Sequence, residues 1–117
     1  MKKEFYNQNE DILGLRLVMC GHETCIPDFK MPVHLRGYYL IHYIQKGTLI
    51  FEENQRKHKL KEGDIFVIYP DTLSNYYSAD SNLSLEFCWI GFMGDIAEKY
   101  LEYAGIKKDK PVAQVGN

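Results

Sequence analysis

The sequence predicts an all-β sandwich or barrel with a single α-helix towards its C-terminal end. Aromatic residues make up 14% of the 117-residue chain, with nine Tyr and six Phe. Most fall in short β-branched or aromatic runs that suit a pleated surface better than a helix. Turn signals built on Gly, Pro, Asn and Asp separate these runs, the pattern of many short strands in a sandwich or barrel. One segment near residues 95–105 instead carries the apolar period of an amphipathic helix.

Taken in order, the first dozen residues are polar, with only Phe5, Tyr6 and Ile12 as anchors. Residues 1–14 are therefore expected to form a flexible arm that can close over something, ahead of a first strand near residues 15–20. Residues 21–33 hold Gly21, Pro27, Asp28 and Pro32, a density of breakers that implies irregular extended chain. Residues 38–45 read as a strand that Lys46-Gly47 ends. Residues 48–52 begin the next, and Asn54-Gln55 turns it back into residues 57–60. After the turn at Glu62-Gly63-Asp64, residues 65–69 are nearly all apolar, as expected of a strand buried on both faces. Pro70, with no amide hydrogen to donate, stops its ladder. Strands at 75–79 and 83–92 flank a turn at 80–82. Asp95 then caps the helix, with Glu98 three positions on, and Ile96, Ala97, Tyr100, Leu101 and Ala104 share one face before Gly105. Beyond Lys107 the apolar period fades. The expected organisation is an arm at 1–14, a barrel at 15–93, and a helix with a tail at 94–117.

Composition narrows the function classes. A chain of this length builds one core and one domain. Its 14 Lys and Arg against 16 Asp and Glu give a net charge of −2, whereas a surface that coats nucleic acid is normally basic. The one basic cluster, Arg56-Lys57-His58-Lys59 with Lys61, is flanked by Glu52, Glu53 and Glu62. It reads as the solvated edge of a hairpin, where Lys discourages edge pairing. Three cysteines, Cys20, Cys25 and Cys88, are an odd count that fits reduced thiols better than a disulfide framework. The N-terminal residues are too polar for a secretion signal, and the longest apolar runs fall well short of the roughly 20 residues that cross a bilayer. A soluble, cytoplasmic chain with no membrane partner is expected.

Gly47, fifteen further residues, Gly63-Asp64, a buried strand and Pro70 together resemble the two-motif layout of the cupin fold. A longer string is more specific: Cys20-Gly21-His22-Glu23, Tyr38-Tyr39-Leu40-Ile41-His42-Tyr43-Ile44, Lys46-Gly47, Gly63-Asp64, Pro70, Tyr76 and Trp89-Ile90-Gly91-Phe92. Over about residues 15–113 it resembles the N-terminal sensor domain of AraC-type transcriptional regulators, particularly those of sugar utilisation. The resemblance implies a cupin-like double-stranded β-helix, a jelly-roll barrel, with one C-terminal helix. It further implies that a small carbohydrate effector binds inside the barrel, without catalysis. In the full-length protein it implies a homodimer that meets DNA only through a C-terminal helix-turn-helix domain beyond this chain.

Cupins often hold a metal with two alternate His, a Glu and a later His. Set against that pattern, His34 takes the first position, but Arg36, Leu40 and Asn75 fall at the others. A guanidinium has no lone pair to offer, so neither a metal nor another cofactor is expected. The sequence also has no Gly-x-Ser-x-Gly elbow and no Gly-rich phosphate loop. The rival readings are a metal-dependent cupin enzyme and a dimerisation module whose barrel is filled by its own side chains.

The resemblance assigns pocket roles to two aromatics, Trp89 as the platform on which a sugar ring stacks and Tyr76 as a hydroxyl partner. The structural alternatives are a packed core aromatic and a surface loop residue. Where the arabinose-binding member has an arginine, this chain has Met31 or, with a small shift, Lys30, and in place of a histidine two residues before the tryptophan it has Phe87. Both changes turn the pocket apolar and point to a larger glycoside or another ligand. Alternation along the strand puts Arg36, Leu40, His42 and Ile44 on one face, which the cupin layout turns inward. Arg36 is then placed to hold a hydroxyl or carboxylate, or else to pair with Asp28 or Glu86. His42 is either a hydrogen-bonding group of the pocket or a satisfied core histidine. Glu23 lies in the segment that passes near the pocket in the family.

Overall fold

The computed structural model describes residues 1–7, 14–25, 28–34, 36–80 and 83–115, with the backbone alone at 32–34. Among the described residues ten strands and one helix follow in order: β1 (Lys2–Tyr6), β2 (Arg16–Cys25), β3 (Lys30–His34), β4 (Tyr39–Lys46), β5 (Thr48–Glu53), β6 (Arg56–Lys61), β7 (Ile65–Ile68), β8 (Ser74–Ser78), β9 (Leu85–Met93), α1 (Ala97–Tyr103) and β10 (Val112–Ala113). They form a six-stranded sheet, β1-β2-β9-β4-β7-β10, and a four-stranded sheet, β3-β8-β5-β6. Each named strand pair is antiparallel. From β2 to β9 the chain crosses between the two sheets at every step except the β5–β6 hairpin, as in a double-stranded β-helix, the all-β class expected from the sequence.

Alternation builds the core. Along β4, Leu40, His42 and Ile44 are buried while Tyr43 faces out, and the same period buries Leu49, Phe51 and Glu53 on β5. Leu40, Ile44, Leu49, Phe51, Leu60, Phe66, Leu85 and Phe87 belong to one apolar cluster between the sheets. The β5–β6 hairpin closes through Asn54 and Gln55, with φ of 46° and 63°. Two consecutive left-handed residues make the turn whose twist matches that of paired strands. Lys57 reaches Glu52 at 3.4 Å, and Arg56 and His58 both reach the buried Glu53, so the basic cluster is largely matched by acid.

Four details depart from the sequence expectations. Lys2–Tyr6, expected as part of a loose arm, pairs with β2 along its whole length, from Lys2 opposite Glu23 to Tyr6 opposite Met19. An edge strand needs only backbone pairing on one side, so polar side chains do not prevent it. Residues 8–13, including Ile12, lie outside the described residues. Where irregular chain was expected over 21–33, β2 continues to Cys25 and β3 begins at Lys30. Pro32 is accommodated because β3 is an edge strand, and the register shifts between Met31 and His34. Pro27, and Ser81 and Asn82 of the expected turn at 80–82, lie outside the described residues.

Asp95 does not cap the helix: Ile96 occupies the N-cap position with no side-chain cap, and its amide donates to the Gly14 carbonyl at 3.4 Å. A backbone contact from the turn just ahead of β2 thus holds the turn that Asp95 was expected to hold. Of the expected apolar face, Ala97 and Leu101 are buried. Leu101 and Ile106 pack on Val67 and Tyr69 in a second cluster that includes Tyr39 and Phe92. Finally, the tail returns as β10 beside β7. All three cysteines are free, Cys25 buried. Among the described residues no helix is long and apolar enough to cross a membrane.

Candidate functional site

The aromatic filling of the barrel centres on His42. Its ring, 1% exposed, stacks on Phe66 at 4.4 Å and 5° and meets Tyr76 edge-on at 5.1 Å. Trp89 stands 6.0 Å away. Beyond this cluster the core does not fill completely, and a cavity of about 210 Å³ remains, reached by His42, Tyr76 and Trp89. Leu40 and Tyr38 on the β4 side, Met19 on β2 and Met31 on β3 complete its apolar wall.

The polar wall comes from three places. Arg36 enters from the segment before β4, Glu23 from β2, and Lys2, Glu4 and Tyr6 from alternate positions of β1. Lys2 Nζ lies 3.7 Å from Glu4 and 5.8 Å from the centre of the Trp89 ring, and the Tyr6 hydroxyl donates to Glu4 at 3.1 Å. Among the described residues Arg36 and Glu23 make neither an ion pair nor a side-chain hydrogen bond. The expected pairing of Arg36 with Asp28 or Glu86 is not formed. Glu86 takes the Thr24 hydroxyl instead, at 3.3 Å, while Arg36 turns to the cavity.

Burial, reinforced by the nearby Arg36 cation, lowers the His42 pKa from 6.5 to about 3, so the imidazole is neutral at physiological pH. Its Nδ1 is buried without a hydrogen-bond partner. Burial raises the Tyr76 phenol well above its ordinary value, with Arg36 opposing and Glu23 reinforcing the shift, so Tyr76 stays protonated. The site therefore presents two neutral rings flanked by balanced charges.

The structure brings Trp89, Tyr76, Arg36, His42 and Met31 to one cavity. Tyr76 is a strand residue 4% exposed, not a loop residue, and Met31 rather than Lys30 faces inward. Phe87 stands behind the wall, fully buried, with its ring 5.6 Å from both Tyr76 and Trp89; it supports the lining rather than forming it. The β1 residues were not foreseen. Their one signal is the period of two in Lys2, Glu4 and Tyr6. The donor set does not fit a metal: rings surround His42, and among the described residues no three His, Cys, Asp or Glu side chains converge. The His34 side chain lies outside the described residues.

A family model for the AraC-like ligand binding domain matches residues 16–116, nearly the whole of the barrel and tail. The chain belongs to that family. It is 34% identical over 88 residues to the Msm operon regulatory protein of Streptococcus mutans serotype c, covering 75% of this chain and 31% of that protein. It is 37% identical over 78 residues to the raffinose operon transcriptional regulatory protein RafR of Pediococcus pentosaceus, covering 65% of this chain and 28% of that protein. The AraC-like domain thus matches about a third of the length of these regulators. Among solved structures, YhaK of Escherichia coli superposes with a TM-score of 0.73 at 9% identity, covering 97% of this chain and 49% of that one. An RmlC-like cupin of Methanocaldococcus jannaschii with a double-stranded β-helix fold superposes with a TM-score of 0.61 at 21% identity, covering 80% and 82%. These likenesses carry the cupin fold.

Proposed function

We propose that this AraC-like domain senses a small carbohydrate effector, bound in the cavity beside Trp89 and Tyr76. The observation that supports the reading is one hollow that joins aromatic faces to polar groups, two of which, Arg36 and Glu23, have no ion pair or side-chain hydrogen bond among the described residues. The apolar C–H side of a sugar ring packs on an aromatic face, while its hydroxyls need fixed donors and acceptors around the rim. At about 210 Å³ the cavity lies below the ~300–1,000 Å³ of pockets for drug-sized ligands. It suits a single ring, with any further rings of an oligosaccharide at the mouth. The names of the two regulators, one from a raffinose operon, agree with such an effector.

The output is a shift of population. A ligand that binds one arrangement of barrel, arm and partner subunit better than another favours that arrangement. A homodimeric, cytoplasmic regulator then presents its DNA-binding domain, a separate part of the full-length protein, in a changed geometry. A coupling of roughly 1–3 kcal/mol alters DNA affinity by about five- to 150-fold. The domain itself performs no chemistry.

Trp89 is the chain's only tryptophan, so intrinsic fluorescence reports directly on the cavity. Titration with mono-, di- and trisaccharides should change its emission saturably. The same sugar, at about 100 times its dissociation constant, should stabilise the fold by about 2.7 kcal/mol. A panel that moves neither the emission nor the melting temperature would leave the domain as a dimerisation module with a filled barrel.

A further inference from the structure

We infer that Glu23 and Arg36 together recognise the ligand's hydroxyls, and that the cavity selects a neutral sugar over its phosphorylated or carboxylated forms. This rests on the carbohydrate reading and adds a specificity to it. Four charged side chains line the cavity, Lys2 and Arg36 against Glu4 and Glu23. Lys2 and Glu4 pair with each other at 3.7 Å. Arg36 and Glu23 are left, and among the described residues neither has an ion pair or a side-chain hydrogen bond.

The chemistry of these two groups is opposite and incomplete. A guanidinium only donates, and a carboxylate only accepts. A hydroxyl does both, so a polyol satisfies the two at once, donating to Glu23 and accepting from Arg36. A phosphate or carboxylate group suits Arg36, but it brings negative charge beside Glu23 and, at that position, offers no proton for the Glu23 carboxylate to accept. An amino sugar meets the reverse conflict at Arg36. The neighbouring His42, neutral in its apolar setting, adds no charge to favour either ion. A neutral polyhydroxyl compound is the class that leaves neither group unmet, and hydrogen bonds to charged groups are the strong ones.

The experiment is calorimetric titration of the chain with raffinose, glucose and galactose, and with the 6-phosphates and uronates of the two monosaccharides. The expected result is that at least one neutral sugar binds and that its charged counterparts bind about tenfold or more weakly. Glu23→Gln should narrow that gap, and Arg36→Met should weaken the neutral sugar, both with melting curves close to the parent's. A phosphate or uronate binding more tightly than its neutral parent overturns the inference while leaving carbohydrate sensing in place. So does a folded Glu23→Gln with unchanged affinity and unchanged preference. Should Glu23→Gln fail to fold, the comparison of neutral and charged sugars on the parent chain still decides. If none of these sugars binds, the carbohydrate reading falls and the inference falls with it.

Discussion

Trp89 lies over Gly21, its partner across the β2–β9 ladder. A Cβ at position 21 would collide with Cζ2 and Cε2 of the indole and would sit 2.8 Å from the Lys3 carbonyl of β1. Absence of a side chain on β2 is therefore what lets the indole occupy its place in the cavity wall while β1 pairs alongside. A residue that the sequence marks as a strand breaker acts here as a recess.

Gly21→Ala should force the indole, β1 or both to move. Overpacking of this kind costs roughly 1–3 kcal/mol, and denaturant unfolding followed by circular dichroism will measure it. The emission maximum of Trp89 should shift in the same variant, because its surroundings change even where the fold survives. A variant with the parent's stability and emission would mean that the indole has room to spare.

In the proposed site, Lys2 and a stacking sugar compete for the same ring. The Lys2 ammonium stands 5.8 Å from the centre of the Trp89 ring, and a cation over an aromatic face at an exposed site contributes about 0.5–1 kcal/mol. Lys2→Ala removes that competitor and should tighten sugar binding by about two- to fivefold. Weaker binding would instead assign Lys2 to the ligand's own contacts.

His42 gives the domain a pH dependence of known sign. The unfolded chain takes up a proton on this residue near pH 6.5, whereas the buried ring resists protonation down to about pH 3. Protons thus favour the unfolded state within that window. Stability from this source is complete above pH 6.5 and declines as the pH falls, by up to ~1.4 kcal/mol per pH unit. His42→Phe, which keeps a ring against Phe66, should flatten the melting temperature between pH 6.5 and 4.5. An equally steep profile in the variant would place the dependence elsewhere.

Alternation and turn chemistry made the centre of the barrel legible in advance. Asn54-Gln55, Gly63-Asp64 and the apolar run at 65–69 led to β5, β6 and β7 within a residue or two of where they lie. A period of two put Leu40, His42 and Ile44 on one face, and the resemblance to the cupin layout turned that face inward, where β4 buries it. What escaped were elements fixed by tertiary partners rather than by local preference. Lys2–Tyr6 is polar and becomes a strand because β2 offers it an open edge. Gly21 and Pro32 look like breakers, yet one accommodates an indole and the other sits on an edge strand. Asp95 has the right neighbours for a cap, but the Gly14 carbonyl holds the turn instead. In the candidate site, Trp89, Tyr76 and Met31 came from family resemblance. The β1 contribution of Lys2, Glu4 and Tyr6 required the sheet order, which no local pattern carries.

Asp64 ties the end of the chain to the middle of the barrel. Fully buried, its carboxylate accepts the Lys61 amide at 2.9 Å, the Val115 amide at 2.9 Å and the Lys61 ammonium at 3.5 Å. Burial by itself would raise its pKa, but the two amides and the Lys61 charge outweigh that and hold it below the ordinary 3.8. A carboxylate so depressed contributes stability that is present above the unfolded value and lost as the pH falls through the folded one. Asp64→Asn keeps the shape but removes the charge and points N–H groups at donors, which should cost about 1–3 kcal/mol at neutral pH. The difference from the parent should hold constant above about pH 5 and shrink below about pH 4, where the unfolded chain takes up a proton that the folded carboxylate still resists. Urea titrations of both proteins at pH 7, 5 and 3 will measure it, and a gap that persists undiminished at pH 3 would show that the charge is not what Asp64 contributes.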